Sequence, residues 1–145
     1  VYGEMNGERT TIDGIKRFLM KEGINPSYQR LKIFEYLLNH RVHPTVDTIY
    51  SNLSKHIPTL SKTTIYNTLN LFEQREIIKS LTIEKNELRY ECDLRPHSHF
   101  KCKQCGQVYD IWHELPLITE KIVDGHQVTE QQLYLKGICK NCLHQ

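Results

Sequence analysis

Residues 97–105, His97-Ser-His-Phe-Lys-Cys-Lys-Gln-Cys105, place two different sets of metal-binding side chains on one short stretch. The second set, Cys102-Lys-Gln-Cys105, has a counterpart in Cys139-Lys-Asn-Cys142, with 33 residues between the two pairs. A CxxC turn aims two thiolates at one point, and two such turns complete the tetrahedral sulfur cage that zinc prefers. Two local disulfides would need an oxidising compartment, and no stretch of the chain resembles a secretory signal. The expectation is therefore a structural Zn(2+) held by Cys102, Cys105, Cys139 and Cys142 in a cytoplasmic protein. Four thiolates close the coordination sphere, so this metal supports structure and not catalysis.

The first set is His97 and His99. Residues two apart on a strand face the same side, so both imidazoles can reach one ion. Glu91 lies six positions before His97, and Asp110 lies five after Cys105. His43 belongs to the N-terminal half and can complete the group. Three imidazoles and two carboxylates make a sulfur-free site suited to Fe(II), Mn(II) or Zn(II). His113, His126 and His144 read as surface groups.

Upstream, apolar positions recur at helical spacing. Ile12, Ile15, Phe18 and Leu19 form one stripe, stopped by Gly23. Leu31, Phe34, Leu37 and Leu38 form the next, with Ser27 as its cap and Asn39 near its end. Thr45 caps a third helix carrying Val46, Ile49, Tyr50 and Leu53, and Pro58 closes that element. Ser61 caps a fourth, whose inner face is Ile65, Leu69 and Phe72. Two β-rich runs follow, Ile77–Ile83 and Leu88–Cys92, joined by Glu84-Lys85-Asn86-Glu87 as a hairpin. Short helices followed by a hairpin are the parts of a winged helix, whose last helix enters the DNA major groove. Its outer face shows Lys62, Thr63, Thr64, Tyr66, Asn67 and Asn70, groups able to meet phosphates, adenine edges and thymine methyls. Downstream, His97–Lys101, Gln107–Ile111 and Gln132–Lys136 read as strands and Leu115–Val123 as a helix, with Pro116 in its first turn and Gly125 at its end. Val1–Arg9 have no periodicity and read as a loose arm.

The fold class is therefore α+β, a winged-helix domain over residues 1–85 followed by a zinc-containing α/β domain over residues 86–145. A half of this size buries only a marginal core, and a zinc staple is one remedy. No apolar run approaches the ~20 residues of a membrane span, so a soluble chain is expected. Lys plus Arg against Asp plus Glu is 12 against 9 up to Lys85 and 7 against 8 beyond it, a mild lean toward an anionic partner for the first half.

Together these motifs resemble the Fur family of metal-responsive bacterial repressors. The resemblance runs from about Ile12 to Cys142. It is carried by Tyr28-Gln-Arg30, His43-Pro-Thr, Ser61-Lys-Thr-Thr-Ile-Tyr66-Asn-Thr-Leu, His97-Ser-His99, Cys102-x-x-Cys105-Gly and Cys139-x-x-Cys142. It implies a winged-helix domain, a hinge and an α/β dimerisation domain, acting as a homodimer on double-stranded DNA at AT-rich palindromic operators. It implies structural zinc on the four cysteines. It also implies a regulatory Fe(2+) or Mn(2+) on His43, Glu91, His97, His99 and Asp110, bridging the two domains. Tyr66 matches a base-contacting tyrosine and Arg30 a DNA-contacting arginine. Ser61, Lys62, Thr63, Thr64 and Asn67 complete the DNA-binding set. Asp110 resembles the peroxide-sensing branch, in which His43 and His97 match the oxidised histidines. Glu91 is closer to the iron sensors. Ser98 and Gln131 stand where an auxiliary metal site would have ligands, so no third site is expected. Cys92 lies in a stretch where zinc sensors use a cysteine, but it would face away from Glu91 and reads as a packed core thiol. Tyr28 replaces a proline of the family pattern, which should loosen the start of the second helix.

The leading expectation is a peroxide-responsive repressor, with an iron-responsive repressor second and a zinc-responsive one third. From other classes come a zinc hydrolase and a purely structural zinc module that binds proteins. A hydrolase needs an open coordination position beside a cleft, and five available ligands leave little room for one. The structural module would not require His97 for partner binding. No enzymatic activity is expected.

Overall fold

Among the described residues, hydroxyl side chains begin all four helices of the N-terminal unit. Thr11, Ser27, Thr45 and Ser61 each hold an extended backbone, and each accepts a hydrogen bond from the amide three residues on. Such a cap is worth about 1 kcal/mol. The computed structural model describes residues 11–114 and 116–144, so the expected arm Val1–Arg9 lies outside the described residues. The helices are α1 (Ile12–Lys21), α2 (Tyr28–Asn39), α3 (Val46–Leu53) and α4 (Lys62–Gln74). Tyr28 is the first residue of α2, and its Ser27 cap closes on Arg30 N at 3.3 Å.

The ends of α1 and α4 share one device. Ile24 N donates to Leu19 O at 2.8 Å and Gly23 N to Met20 O at 3.0 Å, with Gly23 in the left-handed region (φ 76°). This is the Schellman arrangement, and buried Ile24 supplies its hydrophobic contact. At the end of α4, Ile77 N meets Phe72 O and Glu76 N meets Glu73 O, with Glu76 taking the left-handed position (φ 57°). The chain then turns into the hairpin β1 (Lys79–Leu81) and β2 (Arg89–Glu91), antiparallel with Lys79 opposite Glu91, Ser80 opposite Tyr90 and Leu81 opposite Arg89. The ladder is shorter than the two β-rich runs because residues 82–88 form its connection.

The apolar stripes meet in one core. Phe34 stacks on Phe18 at 5.5 Å and meets the edge of Phe72 at 5.5 Å. Ile15, Leu19, Ile33, Leu37, Ile49, Ile65, Leu69 and Ile77 are buried around them. Helices α1 to α4 and the hairpin make the winged-helix unit, which ends at Arg95. The division falls between Arg95 and Pro96 and not at 85/86, because β2 is the ladder partner of β1 and cannot leave it.

The second unit begins at Pro96. It contains β3 (Ser98–Cys102), β4 (Val108–Ile111), β5 (Ile122–Val123), β6 (His126–Gln127), β7 (Tyr134–Gly137) and α5 (Lys140–Leu143). Central β3 pairs antiparallel with β4 and parallel with β7, and β5 pairs with β6. The helix expected over Leu115–Val123 is a correction: Leu115 is outside the described residues, and 116–121 have no regular structure before β5 begins. Ile118, Thr119, Ile122 and Val123 are β-branched, which disfavours helix. Asp124-Gly125, with φ 49° and 82°, is the two-residue turn that closes a tight hairpin. Gln131 also anchors this segment by accepting from Ile118 N at 3.0 Å and donating to Ile118 O at 2.6 Å. Among the described residues no helix is long and apolar enough to cross a membrane.

Candidate metal centres

Strand β3 ends in Cys102, and the turn to β4 carries Cys105; the loop after β7 leads through Cys139 into α5, which holds Cys142. All five cysteines are free thiols. Cys102 Sγ is 3.9 Å from Cys142 Sγ, Cys105 Sγ is 3.8 Å from Cys139 Sγ, and all four sulfurs lie within 4.8 Å of one another. A tetrahedron with Zn–S bonds of ~2.3 Å has an edge of about 3.8 Å, so these sulfurs already have the spacing of a zinc cage.

The electrostatics agree with that fit. Three amides converge on Cys102 Sγ, from Cys105 at 3.4 Å, Cys139 at 3.3 Å and Gln104 at 3.4 Å. Led by the Cys105 amide, they hold its thiol down at about 6. The Tyr109 hydroxyl bonds Cys139, lowering that thiol from its usual 9, and the same bond pushes Tyr109 up to about 12. Crowding by Cys139 and the other sulfurs pushes Cys142 up to about 12. Without a cation the cluster cannot carry four negative charges, and a dication removes that conflict.

The second ligand set is built in two parts. In the N-terminal unit, His43 and Glu91 come together with Nε2 3.3 Å from Oε2, both side chains nearly buried. Lys79, the ladder partner of Glu91, approaches its other oxygen at 3.1 Å. In the C-terminal unit, Asp110 is the register partner of His99. Its Oδ1 lies 3.3 Å from His99 Nε2 and 3.1 Å from His97 Nε2. The two imidazole centroids are 4.6 Å apart, with His97 directly before β3 and His99 on it. Each part offers imidazole nitrogen and carboxylate oxygen, a set that fits a borderline or hard divalent ion and contains no sulfur.

Cys92 joins neither group of candidate ligands. It is 6% exposed within the N-terminal core, and its thiol donates to Leu37 O at 3.5 Å. Burial pushes it up to about 11. Because only the neutral thiol is favoured in the fold, Cys92 is expected to resist alkylation at pH 8.5 in the native protein and to react on unfolding. Peptide mass mapping after iodoacetamide treatment checks this, and rapid native labelling would refute the core assignment.

The polar face of α4 lies opposite its buried Ile65, Thr68, Leu69 and Phe72. Lys62, Thr63, Asn67 and Asn70 are exposed, and Tyr66 is half-exposed. Arg30 from α2 lines one groove with Thr64 and Asn67 from α4. Lys62 pairs with Asp47 at 2.9 Å, and Ser61 is occupied as the helix cap. Sequence reasoning missed four side chains around the metal centres: Lys79, Arg89, Tyr109 and Trp112. Trp112 stacks on His97 with centroids 4.4 Å apart. It stands two residues after Asp110, so the period of two would have found it, and hairpin register would have found Lys79.

Known proteins give a consistent set of likenesses. A family model described as the ferric uptake regulator family matches residues 21–136. The peroxide-responsive repressor PerR of Staphylococcus aureus (strain Mu50) is 34% identical over 128 residues, 86% of this chain and 86% of that protein. The ferric uptake regulator Fur of Helicobacter pylori, described with three functional metal binding sites, superposes with a TM-score of 0.68 at 21% identity, over 94% of this chain and 97% of that one. The iron-bound ferric uptake regulator of Francisella tularensis gives a TM-score of 0.65 at 25% identity, over 81% of this chain and 92% of that one.

Proposed function

This chain belongs to the ferric uptake regulator family, and from that premise we propose that it is a peroxide-sensing, metal-dependent repressor. It works as a cytoplasmic homodimer on AT-rich palindromic operators. The winged-helix unit reads DNA, and the unit after Pro96 carries the zinc cage and the dimer contacts. The observation that carries the peroxide reading is Asp110, whose single Oδ1 meets both His97 and His99. An aspartate at this position resembles the peroxide-sensing branch, and the 34% identity to a peroxide-responsive repressor supports the same reading.

In this reading His43, Glu91, His97, His99 and Asp110 hold Fe(2+) or Mn(2+), while Cys102, Cys105, Cys139 and Cys142 keep zinc throughout. Fe(II) held by these residues would supply the electrons that reduce peroxide, and the ring of His43 or His97 beside it would be the group that takes up one oxygen. The chain's residues set the outcome. With both units contributing ligands, metal occupancy favours the arrangement in which two recognition helices read adjacent major-groove faces. On DNA, Lys62, Thr63 and Thr64 serve phosphates, while Tyr66 and Asn67 serve base edges and Arg30 flanks them; Ser61 orients the helix start. Lys62 exchanges its exposed Asp47 partner for a phosphate at little cost, since solvent-exposed ion pairs stabilise little.

An iron-responsive repressor is the second reading, favoured by Glu91 where the peroxide branch mostly has aspartate. One experiment separates the two. The dimer is loaded anaerobically with Fe(II), given equimolar peroxide, and followed by peptide mass and binding to an AT-rich palindrome. One oxygen gained on the His43 or His97 peptide, with DNA released and zinc retained, is the expected result. Unmodified histidines, with DNA binding still switched by iron addition and chelation, would establish the iron sensor instead.

A further inference from the structure

His43 has φ 55°, a left-handed backbone that is unfavourable for a residue with a β-carbon, so something must hold it there. Strand β2 supplies the grip. Arg89 Nη1 donates to His43 O at 3.0 Å, and Tyr90 N donates to Pro44 O at 3.1 Å. Two residues on from Arg89, and so on the same strand face, Glu91 meets the His43 ring at 3.3 Å. One face of β2 thus takes the backbone of His43 with Arg89 and its imidazole with Glu91. Arg89 is itself fixed by an ion pair with Glu84, which lies in the hairpin connection.

We infer that Arg89 is the positioning residue that holds His43 in its metal-ligating pose, tying the ligand to the connection of the wing. This inference rests on the proposed regulatory site and adds to it a residue outside the ligand set. The guanidinium suits the task because its rigid fork serves the Glu84 carboxylate through Nε and the His43 carbonyl through Nη1 together. A lysine at this position can keep the charge opposite Glu84 but cannot span both acceptors in fixed geometry. Partners that orient a metal ligand typically contribute ten- to hundredfold to metal affinity.

The test uses the zinc-loaded full chain, Mn(II) titration calorimetry, and the variants Arg89→Lys, Arg89→Met, His43→Ala and His43→Ala/Arg89→Met. Both Arg89 substitutions are expected to weaken Mn(II) binding roughly ten- to hundredfold with zinc content unchanged. In the His43→Ala background, Arg89→Met should cause no further loss, because its effect passes through His43. In the metal-free protein, the His43 imidazole nitrogen resonances should shift in Arg89→Met, a readout independent of metal. Equal losses in both backgrounds would show a general wing contact and overturn the inference. Wild-type affinity in Arg89→Lys and Arg89→Met, with His43→Ala impaired, would overturn it while leaving the regulatory site standing. Wild-type affinity in His43→Ala would overturn the regulatory reading and this inference with it. If Arg89→Met does not fold, Arg89→Lys and the further variant His43→Ala/Arg89→Lys carry the same comparison in both backgrounds.

Discussion

Cys102→Ser is expected to empty the zinc cage and unfold the unit that begins at Pro96. Cys102 sits at the end of the central strand β3, fully buried, with three amides on its sulfur and Cys142 Sγ 3.9 Å away. A serine hydroxyl is shorter and does not ionise in this range, so one of four charged ligands disappears. Structural zinc in a four-ligand site contributes an apparent ~10–16 kcal/mol, against the ~5–15 kcal/mol by which whole domains are stable. Removing that contribution leaves little to hold a small unit whose remaining structure is a three-stranded sheet, a short hairpin and one turn of helix. The variant should purify with far less than one zinc per chain, and limited proteolysis should cut beyond Arg95 while the N-terminal core survives. Acid should act in the same direction on the wild type. The Cys102 thiol is depressed from 9 to about 6, so its stabilising charge is present above the ordinary thiol range and lost as pH falls through about 6. Full zinc content and unchanged proteolysis in Cys102→Ser would refute the structural assignment of the cage.

Much of the N-terminal unit was legible because its signals are local. Ser27, Thr45 and Ser61 stand directly before apolar stripes, and a cap needs only a hydroxyl three residues ahead of an open amide. Thr11 obeys the same rule and was missed because the first stripe was read from Ile12 without its cap. The hairpin was also legible, but its boundary as a unit was not: the pairing of Lys79 with Glu91 is tertiary information, and it carries the strand past Lys85 into the first unit. Over residues 115–123 two rules competed. Pro116 and Gly125 look like helix punctuation, yet Asp124-Gly125 is equally a hairpin turn, and the β-branched residues around it side with strands. At the two candidate metal centres, the residue types that come together could be read from spacing. The residues that contact these groups from elsewhere in the chain could not. Arg89 reaches His43 across 46 positions and Tyr109 meets Cys139 across the sheet, and no sequence period links such pairs.

Asp110→Ala is expected to abolish metal-dependent DNA binding while leaving the zinc cage intact. Asp110 sets its carboxylate against both histidines of its unit, with Oδ1 at 3.1 Å from His97 Nε2 and 3.3 Å from His99 Nε2. Its loss removes one of the two carboxylates of the proposed ligand set, donors whose charge helps a divalent ion offset dehydration, and leaves the His97 and His99 rings 4.6 Å apart. Even outer partners of metal ligands are worth about ten- to hundredfold, so loss of a direct ligand should weaken Mn(II) by more than about a hundredfold. The zinc cage should not notice. His99, the register partner of Asp110, is three residues from Cys102 along β3, about 10 Å at strand rise, where effects become nearly additive. Asp110→Asn separates charge from shape, because it keeps the size and one oxygen but loses the anion. If charge dominates, Asn should resemble Ala in Mn(II) calorimetry and in operator binding with and without manganese. If both variants bind manganese and release DNA on chelation as the wild type does, Asp110 is a cross-strand hydrogen-bond partner of the histidines and not a ligand. That result would remove the observation on which the peroxide reading stands.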